Sequence, residues 1–284
     1  MKQSLSKVAL CVWMGLSPQL LLSADTINGK SAEEIAKELA NPNTPLTSVK
    51  FELQYTAFEG SLFNADSQDK FIINLQPTLP FPIDEEHTLW VRPAVPLVFN
   101  QPTFDLNTQE YDSTFGLADM VFDFQYGKAA KGGWYSSYGG SITIPTATDD
   151  ALGLDKWTAG PGFQLGYMGE KSIVGGFINH QWSFAGSGEN DISLTTAQFF
   201  AVYLPGGGWS IASGPILTYD HETDQATIPL NLGVGKTVIF NGRPWKFAIE
   251  ANYFIEKADD FGPDFMIGIN IAPVMKNELV NWFR

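Results

Sequence analysis

Residues 245–255 read Trp-Lys-Phe-Ala-Ile-Glu-Ala-Asn-Tyr-Phe-Ile, and their alternation decides the fold. Trp245, Phe247, Ile249, Ala251, Tyr253 and Ile255 put apolar side chains at every odd position, while Lys246, Glu250, Asn252 and the following Glu256 fall on even ones. A period of two sends these sets to opposite faces of a β-strand. Charges in the middle of one face, behind an apolar face with aromatic ends, suit neither a sandwich core nor an aqueous edge. They suit a transmembrane β-barrel, with lipid outside, water inside and aromatic rings at the two interfaces. One strand is a weak signal, so the reading depends on repetition.

The pattern does repeat. Strand-like runs are expected at 48–58, 68–80, 88–99, 114–126, 134–145, 156–168, 172–184, 192–204, 209–219, 225–237, 245–255 and 264–275. The fold class is therefore all-β: an antiparallel transmembrane β-barrel of about twelve strands, an even number that keeps both ends in the periplasm. Breaks after odd-numbered runs are acidic, as at Asp149-Asp150, Glu189-Asn190-Asp191 and Asp259-Asp260. Those after even-numbered runs are mostly turns of Gly, Pro and Lys, with Asp84-Glu85-Glu86 as the exception. Short inner turns and longer outer loops have this asymmetry. Pro93, Pro96, Pro161, Pro215 and Pro229 fall inside expected strands and predict bulges or breaks, because proline cannot donate to the ladder.

Before the barrel, Lys2 and Lys7, an apolar run from Val8 to Leu22 and a small residue at Ala24 describe a secretory signal peptide over 1–24. Cys11, the single cysteine, lies within it, which excludes disulfides and thiol chemistry from the rest. Without Lys2 and Lys7 the basic count falls from 17 to 15 against 31 acidic residues, a net charge of −16. That sign argues against nucleic acid, whose phosphates need Lys and Arg. No later stretch approaches eighteen consecutive apolar residues, so no transmembrane helix is expected. A leader at 25–47 carries a short helix over residues 32–40, capped by Ser31 with Glu34 and ended by Asn41-Pro42, placed to plug a pore or touch the inner rim. The barrel proper is 48–275 and a tail follows at 276–284.

Chemistry in the sequence is sparse. His87, His180 and His221 are the only histidines and none has metal-ligand spacing with another, so neither a metal nor another cofactor is expected. His180 shares parity with Val174, Ile178, Trp182 and Phe184, which points it outward near the rim. A Ser–His esterase on the lipid face would need a nucleophile within about 3 Å of it, and no Gly-x-Ser-x-Gly elbow occurs. Alternation assigns the lumen face to Asn74, Gln76, Arg92, Asp119, Asp123, Asn231, Lys246, Glu250 and Asn252. A charge at membrane depth must face water or a partner, and Arg92 with Asp119 or Asp123 is an expected pair on adjacent strands.

The stretch Gly-Ser-Ile-Thr-Ile-Pro-Thr-Ala-Thr-Asp-Asp at 140–150, followed by Leu-Gly-Leu-Asp-Lys-Trp at 152–157 and Gly-Pro-Gly at 160–162, resembles a bacterial outer-membrane transporter family. That family is labelled "MetA pathway of phenol degradation", and its members are sometimes misnamed neuromedin U. The similarity extends to 36–42, 116–119, 179–183 and 229–231, nearly the whole chain after the leader peptide. It implies an outer-membrane barrel linked to uptake of hydrophobic or aromatic small molecules. The tail at 276–284 departs from barrels that stop at a closing aromatic, although Phe283 offers an insertion signal to the barrel-assembly machinery. The expected function is passive passage of small, hydrophobic or aromatic solutes, with outer-membrane lipid as the surrounding partner. The alternatives are a lipid-modifying barrel enzyme and a structural or adhesive barrel with a filled lumen.

Overall fold

The computed structural model describes residues 29–131 and 133–275; the expected signal peptide and the tail with Phe283 lie outside them. Helix α1, Ala32–Ala40, opens with the capping box anticipated from its spacing. The Ser31 hydroxyl accepts from the Glu34 backbone N–H, and the Glu34 carboxylate accepts from the Ser31 N–H at 2.7 Å. Strands then fill the chain. The first half holds β1 (Thr47–Glu59), β2 (Asp69–Pro82), β3 (His87–Asp105), β4 (Glu110–Leu117), β5 (Met120–Lys131), β6 (Trp134–Ile144) and β7 (Lys156–Met168). The second half holds β8 (Ser172–Gly186), β9 (Ser193–Gly206), β10 (Trp209–Ser213), β11 (Ile216–Asp220), β12 (Gln225–Phe240), β13 (Arg243–Glu256) and β14 (Gly262–Met275).

Every pairing is antiparallel, and β14 pairs with β1 from Thr47↔Met275 to Glu59↔Gly262, which closes the sheet into a cylinder. β4 and β5 both pair with β3, and β10 and β11 both lie between β9 and β12, so each couple is one broken stave. The result is a closed barrel of twelve staves. The β12–β13 hairpin turns on Asn241 and Gly242, both with positive φ, as a two-residue turn that follows the strand twist requires.

The prolines sit where the ladder lapses. Gly214-Pro215 separates β10 from β11, and the β12–β13 register shifts at Ile228/Pro229. Pairing of β2 with β3 stops between Leu75↔Val95 and Leu79↔Val91, around Pro93. On β7 it stops between Ala159↔Trp182 and Gly162↔Asn179, at Pro161. Pro96 stays paired with Asn74, and its carbonyl accepts the Ala118 N–H where β4 gives way to β5. A missing donor is tolerated where no partner strand demands it.

The distribution of side chains is inverted relative to a soluble protein. Ile249 on β13 is 55% exposed and Leu232 on β12 is 60% exposed, whereas Asn252 retains 7%. Among the described residues the fully buried side chains include Gln125, Asn43, Thr237 and Ser137. Burying amides and hydroxyls while presenting Leu, Ile and Phe is favourable only where the surroundings are hydrocarbon. An apolar cluster sits inside at the end with the short turns, where Tyr135, Ile173 and Leu204 meet Ala40, Met168, Phe200 and Val202. There α1 lies within the barrel against β9, β10, β12 and β13, burying Ile35 and Ala36.

The outward face makes Leu232→Arg, at the middle of β12, expensive by about 2–4 kcal/mol, while Arg at lumen-facing Gln54 should cost far less. Reversible unfolding in lipid vesicles measures both. The cap of α1 adds a pH dependence. Backbone and side-chain hydrogen bonds from Ser31 hold the Glu34 carboxyl below its ordinary value of 4.5. A depressed pKa means that the contribution is complete above pH 4.5 and is lost as the pH falls through the lowered value. Hydrogen exchange at residues 31–35, corrected for intrinsic rate, should lose protection below pH 4.5 in the wild type. In Glu34→Gln, which keeps a capping amide, that loss should be absent.

Candidate functional site: the lumen and its floor

The barrel encloses a cavity of about 630 Å3 and, sharing part of its wall, a second of about 400 Å3. Lys50, Gln198, Asn231, Lys246 and Glu250 line both. The floor of the larger one is built by the segment that follows α1, through Leu39, Ala40, Asn41, Pro42 and Thr44. This segment is fastened to the wall by its own backbone. Trp90 Nε1 donates to the Thr44 carbonyl at 2.7 Å, and Arg92 Nη2 donates to the Pro42 carbonyl. Asn43, fully buried, donates through Nδ2 to the Lys128 and Ser136 carbonyls at 3.3 and 3.4 Å. At the far side Glu33 accepts the Gly207 N–H at 3.1 Å. Each such bond to a buried carbonyl spares a desolvation cost of roughly 1–3 kcal/mol, so the floor is a fixed part of the barrel.

Strand geometry accounts for most of the expected lumen residues. Lys246, Glu250 and Asn252 share the inner face of β13 by alternation. Glu250 Oε2 accepts from Asn231 Nδ2 at 3.2 Å and Oε1 from Asn270 Nδ2 at 3.0 Å. Asn231 Nδ2 also reaches Asn252 Oδ1 at 3.0 Å. The Asn231 side chain has a second duty: its Oδ1 accepts the Gly214 N–H at 2.7 Å, while Gln198 Nε2 donates to the Gly214 carbonyl at 3.0 Å. Two lumen amides thus replace the ladder bonds lost at the Gly214-Pro215 break. Gly268 opposite leaves the room this needs, since a Cβ there would stand 2.9 Å from Glu250 Cγ.

Across the lumen, Arg92 and Asp123 are direct register partners on β3 and β5, and both line the larger cavity. Asp123 accepts from the Ser141 hydroxyl, which in turn accepts from Asn179 Nδ2 at 2.9 Å. Gln76 lines the same cavity, and Lys50 pairs with Glu52 at 3.2 Å. Asn74 lies on the same face of β2 as Gln76 but outside both cavities.

Asp119 is placed differently from the expectation. It sits in the gap between β4 and β5, where the chain leaves the ladder and parity no longer assigns a face. Its carboxylate accepts the backbone N–H groups of Thr146, Ala147 and Leu154, each at 3.0 Å. Asp119 therefore organises the 145–155 loop and is no partner for Arg92. The Pro-Thr-Ala-Thr stretch that stands out in the sequence is the backbone it gathers.

Alternation read strand by strand also passes over a wall of amides. Gln125, Gln164, Asn179, Gln181 and Gln198 line the larger cavity from β5, β7, β8 and β9. Gln181 Oε1 accepts from the Thr158 and Thr143 hydroxyls at 2.7 and 3.1 Å. For Asn179 and Gln181 the available signal was parity opposite to Ile178 and Trp182 on β8.

His180 faces outward beside Trp182, ring centroids 4.1 Å apart. Its Nδ1 lies 2.7 Å from the Thr195 hydroxyl and its Nε2 3.4 Å from that of Ser193. Thr195 Oγ1 also meets His221 Nε2 at 2.8 Å. Among the described residues both ring nitrogens of His180 meet hydroxyls, and the carboxylate that would orient a catalytic imidazole is replaced by Thr195.

No protein-family model and no curated protein matches the sequence. Solved structures do resemble the fold. The COG4313 outer membrane channel from Pseudomonas putida F1 superposes with a TM-score of 0.63 at 16% identity, over 81% of this chain and 95% of that one. The NanC porin does so with a TM-score of 0.50 at 9% identity, over 80% of this chain and 99% of that one. At such identities the likeness is one of architecture, and it agrees with the inverted distribution of side chains: the fold is that of an outer-membrane β-barrel.

Proposed function

We propose that this barrel is a passive outer-membrane channel for small solutes, hydrophobic or aromatic in character. The observation that carries the reading is the pair of adjoining cavities, walled by amides and by charges of both signs. Lys50, Arg92 and Lys246 oppose Asp123, Glu52 and Glu250, while Phe177, Phe200 and Phe254 add apolar surface between them. A wall that serves only to fill a barrel has no need of space at this scale, since side chains pack interiors without voids larger than a water molecule. The resemblance to transporters labelled for phenol degradation, and the channel named among the similar structures, support the same reading. The fastened floor favours a second one, a barrel whose lumen is filled for structural reasons. Conductance separates the two.

In planar bilayers the purified protein should show discrete conductance steps, and deleting residues 29–46, which build the floor, should enlarge them. A silent membrane with both forms would overturn the channel reading. Glu250→Gln removes one lumen anion and should shift the reversal potential in a salt gradient toward anions. Outward-facing Tyr253→Phe should leave it unchanged.

A further inference from the structure

We propose that the loop end of the lumen carries a recognition subsite for aromatic anions, a small aromatic ring bearing a carboxylate. The proposal rests on the channel reading and names the chemical class of its solute. Its foundation is a chain of rings with one ammonium at its end. Phe104 and Tyr111 face each other across the β3–β4 hairpin with centroids 4.9 Å apart. Tyr111 approaches Phe261, in the β13–β14 loop, at 5.3 Å, and Phe261 stacks on Phe58 of β1 at 4.6 Å and 14°. Lys70 Nζ stands 5.7 Å from the centre of the Phe58 ring.

The arrangement follows the rim. Following the wall from β4 through β3, β2 and β1 to β14 covers four strand spacings, roughly 19 Å. Contact between Tyr111 and Phe261 therefore joins the β3–β4 hairpin to the β13–β14 loop, which is itself bonded to the β1–β2 loop through Ser61 and Leu62, over that stretch of the rim. A solute entering from the loop side meets these rings before it reaches the cavities. Lys70 lies on the same face of β2 as Gln76, which lines the larger cavity, about 20 Å farther along the strand.

Two polar groups in this apolar setting lack complements. Among the described residues no carboxylate lies within ion-pair distance of Lys70. The adjacent Asp69 is engaged by Tyr55 and Asn100. The Tyr111 hydroxyl is buried with no hydrogen-bond partner. A half-buried ammonium against a ring face, and a phenol with an unused donor, each gain from an incoming anion. The ring faces and edges supply stacking surface for its aromatic body. The surrounding loops are acidic, with Asp259 and Asp260 next to Phe261, so general attraction of anions is weak and Lys70 is the local source of selectivity. Because loop charges are screened beyond about 8 Å at 0.15 M salt, the subsite is best read at that ionic strength or above.

Calorimetric titration of the detergent-solubilised protein with benzoate, toluene and acetate tests this, alongside benzoate block of conductance in bilayers. Saturable benzoate binding is expected, about tenfold or more tighter than toluene or acetate, each of which carries half of the chemistry. Lys70→Gln should weaken benzoate about tenfold and leave toluene unchanged, and Phe261→Leu should weaken both aromatic compounds. Heat-modifiable migration in gels verifies that each variant is folded. Equal binding of acetate and benzoate, or benzoate binding indifferent to both substitutions, overturns the subsite. Conductance without benzoate binding overturns it while sparing the channel, and benzoate binding by a non-conducting protein does the reverse.

Discussion

The structure depends on one constraint: a backbone surrounded by hydrocarbon must satisfy every N–H and C=O within itself. An unsatisfied group in that medium costs several kcal/mol, and a closed antiparallel sheet is the way strands avoid the cost. The pairing of β1 with β14 completes that closure. Once the cylinder is shut, alternation leaves one face for lipid and the other for whatever the lumen holds. Polar side chains of this chain are gathered inside, where they can bond to each other and to backbone that has left the ladder.

The breaks in the staves show that economy at work. Where Gly214-Pro215 interrupts the wall, Asn231 and Gln198 take over the lost bonds from the lumen side. Where β4 gives way to β5, Asp119 gathers three loop N–H groups. The same logic fixes the floor, since the carbonyls of Pro42 and Thr44 are met by Arg92 and Trp90. Lumen polarity is therefore structural and functional at once. Removing Asn231 would disturb the wall as well as the cavity, and variants that probe transport are better chosen at Glu250 or Lys70.

Much of this was legible in the chain. The alternation at 245–255, the acidic loops on one end and the prolines at strand lapses each have a local physical cause that sequence displays. The capping box of Ser31 and Glu34 is equally local. What was hidden is long-range. Asp119 has lumen parity only if β4 and β5 are one unbroken strand, and nothing nearby announces the gap. Asn43 and the carbonyls of Pro42 and Thr44 acquire roles only because α1 folds back into the barrel. The ring chain brings Phe58 and Tyr111 to Phe261, at least 150 positions later in the sequence, and no periodicity encodes that meeting.

The most direct test of the central claim is a cysteine scan along β13 in a Cys11→Ser background, reconstituted in lipid vesicles. Labels at 247, 249, 251 and 253 should be quenched by brominated lipid and protected from water-soluble reagents, while those at 246, 248, 250 and 252 should show the reverse. Uniform reactivity along the strand, or the opposite phase, would contradict a cylinder with hydrocarbon on one face and an aqueous lumen on the other.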